Sequence, residues 1–102
     1  MLTLEQFKAA RSTLRGVIRD TSLIHSVALS KALGNQVYLK PENMQVTGAY
    51  KIRGAYYKIS TLSQEEKERG LITASAGNHA QGLAYAAQAA GVPATIVMPT
   101  TT

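Results

Sequence analysis

The last third of the chain constrains its fold most. Leu71 to Ala74 reads as a short strand, Asn78 to Ala90 as a helix, and Ala94 to Met98 as a second strand set off by Gly91 and Pro93. Ala80, Leu83, Ala84, Ala87 and Ala90 fall on one stripe of that helix. Strands joined through a helix of this length lie parallel in one sheet with a right-handed crossover. A βαβ parallel-sheet unit is therefore expected over residues 71–98, and the fold class is α/β. Parallel sheets are ordinarily covered on both faces. No element follows the second strand before Thr102 to cover the other face, so the expectation is a piece of a larger protein, or a chain that folds with a partner.

Upstream, Thr3 with Gln6 matches a capping box, and Leu4, Phe7, Leu14 and Ile18 make an apolar stripe, predicting a helix over 4–18. A short helix is expected from Ser26 to Leu33, stopped by Gly34, and a strand from Val37 to Lys40, closed by Pro41. The polar loop Asn43 to Gly48 then delivers Lys51. Residues 52–61 continue as a helix with Ile52, Ala55, Tyr56 and Ile59 on its apolar face. Ser63 and Glu66 form another capping box, for a charged helix that Gly70 ends. No internal repeat or low-complexity segment interrupts this order.

Composition removes several function classes. Hydrophobic residues at 45% and charged residues at 17% fit a globular interior. The absence of cysteine excludes a disulfide scaffold and a thiolate metal site. The two histidines, His25 and His79, are far apart and without clustered carboxylates, so no metal is expected. No apolar run approaches the roughly 20 residues of a membrane span, and the mixed charges of the first 16 residues do not make a secretory signal. A cytoplasmic protein without a membrane partner is expected. Net charge is +5, with +6 in residues 1–60 and −1 in residues 61–102. Lys8, Arg11, Arg15 and Arg19 would share one face of the first helix. No aromatic interleaving or nucleic-acid module accompanies them, so a solvated face is expected rather than a nucleic-acid partner. Dinucleotide and P-loop glycine patterns are absent, and Ser75-Ala76-Gly77 lacks the glycines of a nucleophile elbow.

Two segments carry chemistry. GAYKIRGA, Gly48 to Ala55, frames a lysine with glycines and an aromatic residue. A lysine that forms a Schiff base must spend time as the neutral amine, although the free side chain, with a pKa of about 10.4, stays protonated near neutrality. Burial or a nearby cation changes that balance. Ala49, Tyr50 and Ile52 around Lys51, and Arg53 two residues on, allow both effects. A plainly exposed lysine at a helix start fits this segment as well. The second segment, ASAGNHAQG from Ala74 to Gly82, opens a polar turn into the alanine-rich helix. Free backbone N–H groups and the helix dipole favour an anion such as a carboxylate there. Ser75 or Asn78 as a simple cap, with His79 satisfied in the first turn, fits equally. Gly82 is expected to permit close packing on the strands.

LKPENMQVTGAYKIRGA resembles the cofactor-lysine segment of the threonine dehydratases (threonine ammonia-lyases), whose usual form is K-x-E-N-x-Q-x-T-G-S-F-K-x-R-G-A. ASAGNHAQGLAYAA is similar to that family's next segment and GVPATIVMPTTT to the strand that follows, so the resemblance runs in order over nearly the whole chain. It implies the tryptophan-synthase-β-like, fold type II architecture, with pyridoxal 5'-phosphate as cofactor. Residues 1–60 would open the larger domain and 61–102 the smaller. By the resemblance Lys51 holds the cofactor and takes the substrate α-proton, Tyr50 lies beside its ring, and Asn78 bonds its 3′ oxygen. Ser75, Ala76, Gly77, Asn78 and His79 bind the carboxylate of an amino-acid substrate. The implied reaction is dehydration and deamination of L-threonine or L-serine to 2-oxobutanoate or pyruvate and ammonia, in isoleucine biosynthesis or threonine catabolism, by a homo-oligomer.

Three departures stand out. Ala49-Tyr50 replaces the usual Ser-Phe, and Thr21-Ser22 replaces a frequent Thr-Pro. Ala76 stands where related serine racemases have a second serine as acid/base, which disfavours racemisation. The family's phosphate-binding glycine loop would lie past Thr102, so the 102-residue chain alone is expected to retain cofactor weakly and not to turn over. The alternative is a non-catalytic fragment with a structural or interaction role.

Overall fold

Three helix starts are capped as their sequences suggest in a computed structural model that describes residues 1–102. Thr3, Ser26 and Ser63 each accept a backbone N–H three residues on, and Gln6 and Glu66 return the bond to complete the two capping boxes. Helix α1 spans Leu4–Leu14, four residues shorter than expected. Gly16, with φ +80°, turns the chain out of the helix just past its end. The expected stripe divides as a result. Leu14 is buried and Ile18 packs from outside the helix, while Phe7 stays 60% exposed. The expected basic face divides too: Lys8 and Arg11 stay on α1, Lys8 paired with Glu5, and Arg19 donates to the Met44 carbonyl instead.

Strand β1, Ile24–His25, pairs antiparallel with β2, Tyr38–Leu39, around helix α2, Val27–Leu33. Gly34 ends α2 at φ +65°. A 3-10 turn, Glu42–Met44, leads to α3, Lys51–Ser60, and then α4, Gln64–Arg69. Strand β3, Leu71–Ala74, helix α5, Asn78–Ala90, and strand β4, Ala94–Val97, form the expected βαβ unit. β3 and β4 are parallel in the register Leu71 to Ala94 through Ala74 to Val97.

The core lies between α3 and α5. Ile52, Ala55 and Ile59 meet Leu83, Ala86 and Ala87, with Val92 beside them, and Tyr56 and Leu71 close the edges. The buried face of α5 is Ala80, Gly82, Leu83, Ala86 and Ala87. Ala84, expected on the stripe, faces solvent. In an alanine-rich helix the side chains are too alike to set the buried face, so the bulk of the isoleucines on α3 decides it. Leu71 and Thr73 turn toward α5, whereas Ile72, on the opposite face of the sheet, is 76% exposed. The accessible surface of 7376 Å² exceeds the roughly 5,600 Å² of a closed monomer of this mass. Ile72, Val97 and Met98 are among the large apolar side chains left exposed. No helix is long and apolar enough to cross a membrane.

Candidate functional site

Lys51 is the first residue of α3, and three devices hold the segment that reaches it. Gln45, 4% exposed, uses its side-chain amide as a backbone substitute: Oε1 accepts from Arg19 N at 2.8 Å and Val46 N at 3.0 Å, and Nε2 donates to Arg19 O at 2.9 Å. Gly48, at φ +70°, donates its N–H to Gln45 O at 2.8 Å and closes the turn before Ala49, which is buried. The third device is ionic. Arg53 donates from Nε to Glu42 Oε2 at 2.9 Å and from Nη2 to Oε1 at 2.8 Å, and the Thr21 hydroxyl also donates to Oε1. Lys40 Nζ donates to the Thr21 carbonyl.

The bonds from Arg53, helped by Thr21 and opposed by the cost of burial, hold the Glu42 carboxyl at about 2, below its ordinary 4.5. Arg53 is held protonated in return, first by its bond to Glu42. A carboxyl whose pKa is lower folded than unfolded stabilises fully above its unfolded value and loses that contribution as pH falls through the folded one. The shift corresponds to about 3 kcal/mol, reduced to roughly 2 kcal/mol by solvent screening around the partly exposed pair. The advantage of wild type over Glu42→Gln in urea unfolding is therefore expected to be roughly 2 kcal/mol at pH 6, and to vanish between pH 4.5 and pH 2.

The far wall is α5. A Cβ on Gly82 would stand 3.1 Å from Ile52 N, 3.2 Å from Lys51 C and 3.4 Å from Lys51 Cβ. The close approach that the sequence suggested for Gly82 is thus against the first turn of α3, not against the strands. Backbone atoms cannot swing aside. Gly82→Ala is expected to lower stability by about 1 kcal/mol in a thermal melt, because overpacking of about 1–3 kcal/mol exceeds the gain of up to about 1 kcal/mol in helix propensity. Asn78 lies four residues, or about 6 Å, up the helix from that contact.

At the N-terminus of α5 the N-cap is Gly77, and Ser75, two residues before it, supplies the acceptor: its Oγ accepts from Gly77 N and Ala80 N, both at 3.3 Å. Gln81 N bonds Gly77 O, and the amides of Asn78 and His79 are left without an acceptor in the chain. Asn78 does not cap. Its exposed side chain makes no hydrogen bond, while His79 is half-buried and Ala76 and Gly77 are exposed in the turn. Ser75 N donates to Val97 O, tying the turn to β4. The packing of α3 on α5 sets the backbone of Lys51 against Gly82, four residues along the helix from Asn78. Lys51 is exposed and Tyr50 is 63% exposed. The Lys51 side chain is open to water, and the charge of Arg53 is paired with Glu42. The open amides suit an anion, and the exposed amine of Lys51 suits a carbonyl. Residues 1–102 hold no cluster of His, Asp or Glu suited to a metal. Glu42 and Gln45, letters of the K-x-E-N-x-Q pattern, support the segment without having been singled out from the sequence; Arg53 stands there as a cation near Lys51 and Thr21 as part of a departure, neither as a partner of Glu42.

Residues 14–102 match the family model described as pyridoxal-phosphate dependent enzyme. The chain is 59% identical over 99 residues to the L-threonine ammonia-lyase of Thermotoga maritima, a match covering 97% of this chain and 25% of that one. Its structure is similar to the processed form of threonine deaminase isoform 2 from Solanum lycopersicum, with TM-score 0.79 and 43% identity over 100% of this chain and 29% of that one. The serine racemase of Dictyostelium discoideum gives TM-score 0.89 at 35% identity, over 97% of this chain and 33% of the other. The chain thus spans about a quarter to a third of the length of these proteins.

Proposed function

The chain belongs to the pyridoxal-phosphate dependent enzyme family, and from that membership we propose that the whole protein dehydrates and deaminates L-threonine or L-serine, giving 2-oxobutanoate or pyruvate and ammonia. One observation carries the reading: Lys51 is held against Gly82, about one helical turn from two open amides. The residues present fit the cofactor at its reactive end, with an exposed amine at Lys51 and an amide without a partner at Asn78. In this reading Lys51 holds the cofactor, Asn78 bonds its ring oxygen and Tyr50 flanks its ring.

When bound, pyridoxal phosphate supplies an electron sink for negative charge at the substrate α-carbon. The amides of Asn78 and His79 would bind the substrate carboxylate, favoured by the positive end of α5. With the carboxylate fixed there, Lys51 Nζ takes the α-proton. Ser75 keeps the turn in shape through the two N–H bonds it accepts. Ala76 offers no second acid or base on that turn, which favours elimination over racemisation despite the structural likeness to serine racemases. The same reading assigns residues 1–60 to the larger domain and 61–102 to the smaller, and takes the whole protein to be a cytoplasmic homo-oligomer of amino-acid metabolism.

A purely structural or interaction role is the second reading, favoured by the exposure of Lys51, Tyr50 and Asn78. Turnover separates the two. The protein expressed from its whole gene is expected to release keto acid from L-threonine or L-serine only with pyridoxal phosphate, and to form no D-serine. Cofactor binding with racemisation alone, or with no keto acid, would contradict the proposal. The 102-residue chain by itself is expected to give none above free cofactor.

A further inference from the structure

Lys51 sits inside a segment closed on itself by an ion pair. Glu42 lies before it and Arg53 after it, and the two meet through two short hydrogen bonds in a fork geometry. The pair is partly sheltered, its side chains 31% exposed at Arg53 and 16% at Glu42, and the buried Thr21 bonds both partners. Arg53 lies on the side of α3 that faces α1, away from Ile52, Ala55 and Ile59. The clasp is thus separate from the core. Opening it would spare the α3–α5 packing and leave the stretch from Met44 to Tyr50 held only by the Arg19–Met44 bond, the Gln45 bonds, the Gly48 turn and the packing of Val46.

We propose that Glu42 and Arg53 are positioning residues for Lys51, closing the segment so that the amine is held beside the Ser75–His79 turn. Neither is among the residues that the proposed function sets against the substrate or the cofactor. The proposal rests on the reading of Lys51 as the cofactor lysine, and the experiment separates the two. Pyridoxal phosphate is added to the wild-type chain and to Glu42→Gln, Arg53→Gln and Arg53→Lys. After borohydride reduction, mass spectrometry reads the share of label on each lysine, while circular dichroism and amide exchange over α5 report the fold.

Wild type is expected to carry its label mainly on Lys51. In Glu42→Gln and Arg53→Gln that share falls toward the one in six expected when all six lysines react alike, since misplacement by about 1 Å costs up to about 10²-fold in reactivity. Arg53→Lys, which keeps the charge but loses the fork, falls between. Amide exchange is expected to rise over Gly48 to Lys51 and to stay unchanged over α5. Folded Glu42→Gln and Arg53→Gln chains labelled at Lys51 like wild type would overturn the proposal and leave Lys51 as the cofactor lysine. An evenly labelled wild type would overturn both readings. Thr21→Val, which removes one hydroxyl from the clasp, gives the same comparison by a milder route if either charge variant fails to fold.

Discussion

Lys51→Ala is expected to lower keto-acid release by the whole protein by about 10³-fold or more. General base catalysis alone accounts for about 10²–10⁴-fold, and loss of the attachment point adds to it. Lys51→Arg is expected to lose as much. It keeps the charge, but the guanidinium stays protonated and neither attacks a carbonyl nor accepts the α-proton. Both variants are expected to melt within about 0.5 kcal/mol of wild type, because the Lys51 side chain is exposed and makes no hydrogen bond or ion pair in the structure. A large loss of turnover with unchanged stability is the signature of chemistry rather than packing. It is measured by a coupled keto-acid assay beside a thermal melt.

The reverse signature is expected one residue on. Ile52 is fully buried where α3 meets α5, and truncating a buried isoleucine to alanine costs about 2–5 kcal/mol. Against a typical total of about 5–15 kcal/mol, Ile52→Ala removes a large share of the stability and is expected to lower the melting midpoint by roughly 10–20 °C. Ile59→Ala opens a similar cavity seven residues away, at the other end of α3. The two are expected to lose comparable stability, but only Ile52→Ala loosens the wall that Lys51 shares with Gly82. Labelling at Lys51 is therefore expected to fall in Ile52→Ala well before the chain melts, and to survive in Ile59→Ala.

The parts legible in the sequence are those written locally. Thr3, Ser26 and Ser63 mark helix starts because a short hydroxyl side chain satisfies an orphan N–H wherever the helix ends up. Gly34 and Gly91 mark ends because their left-handed φ is costly for other residues. The βαβ unit was legible from a helix with strands close on either side. Three other features depend on partners distant in sequence. The buried face of α5 is set by isoleucines of α3 rather than by its own near-uniform alanines. The close contact of Gly82 is with Lys51 and Ile52, about thirty residues earlier in the chain. The Glu42–Arg53 pair crosses a turn whose path follows from Gly48 and Gln45 together. Strand β1 was illegible because its two residues carry no periodicity and gain their state only by pairing with β2.

The central claim is that Lys51 and the Ser75–His79 turn make one reactive site, and reductive trapping tests it most directly. The chain carries six lysines, Lys8, Lys31, Lys40, Lys51, Lys58 and Lys67. Pyridoxal phosphate followed by borohydride is expected to place most of the adduct on Lys51, and the preference is expected to disappear in urea. Label distributed over the exposed lysines without preference for Lys51, in the folded chain as in the unfolded one, would contradict it.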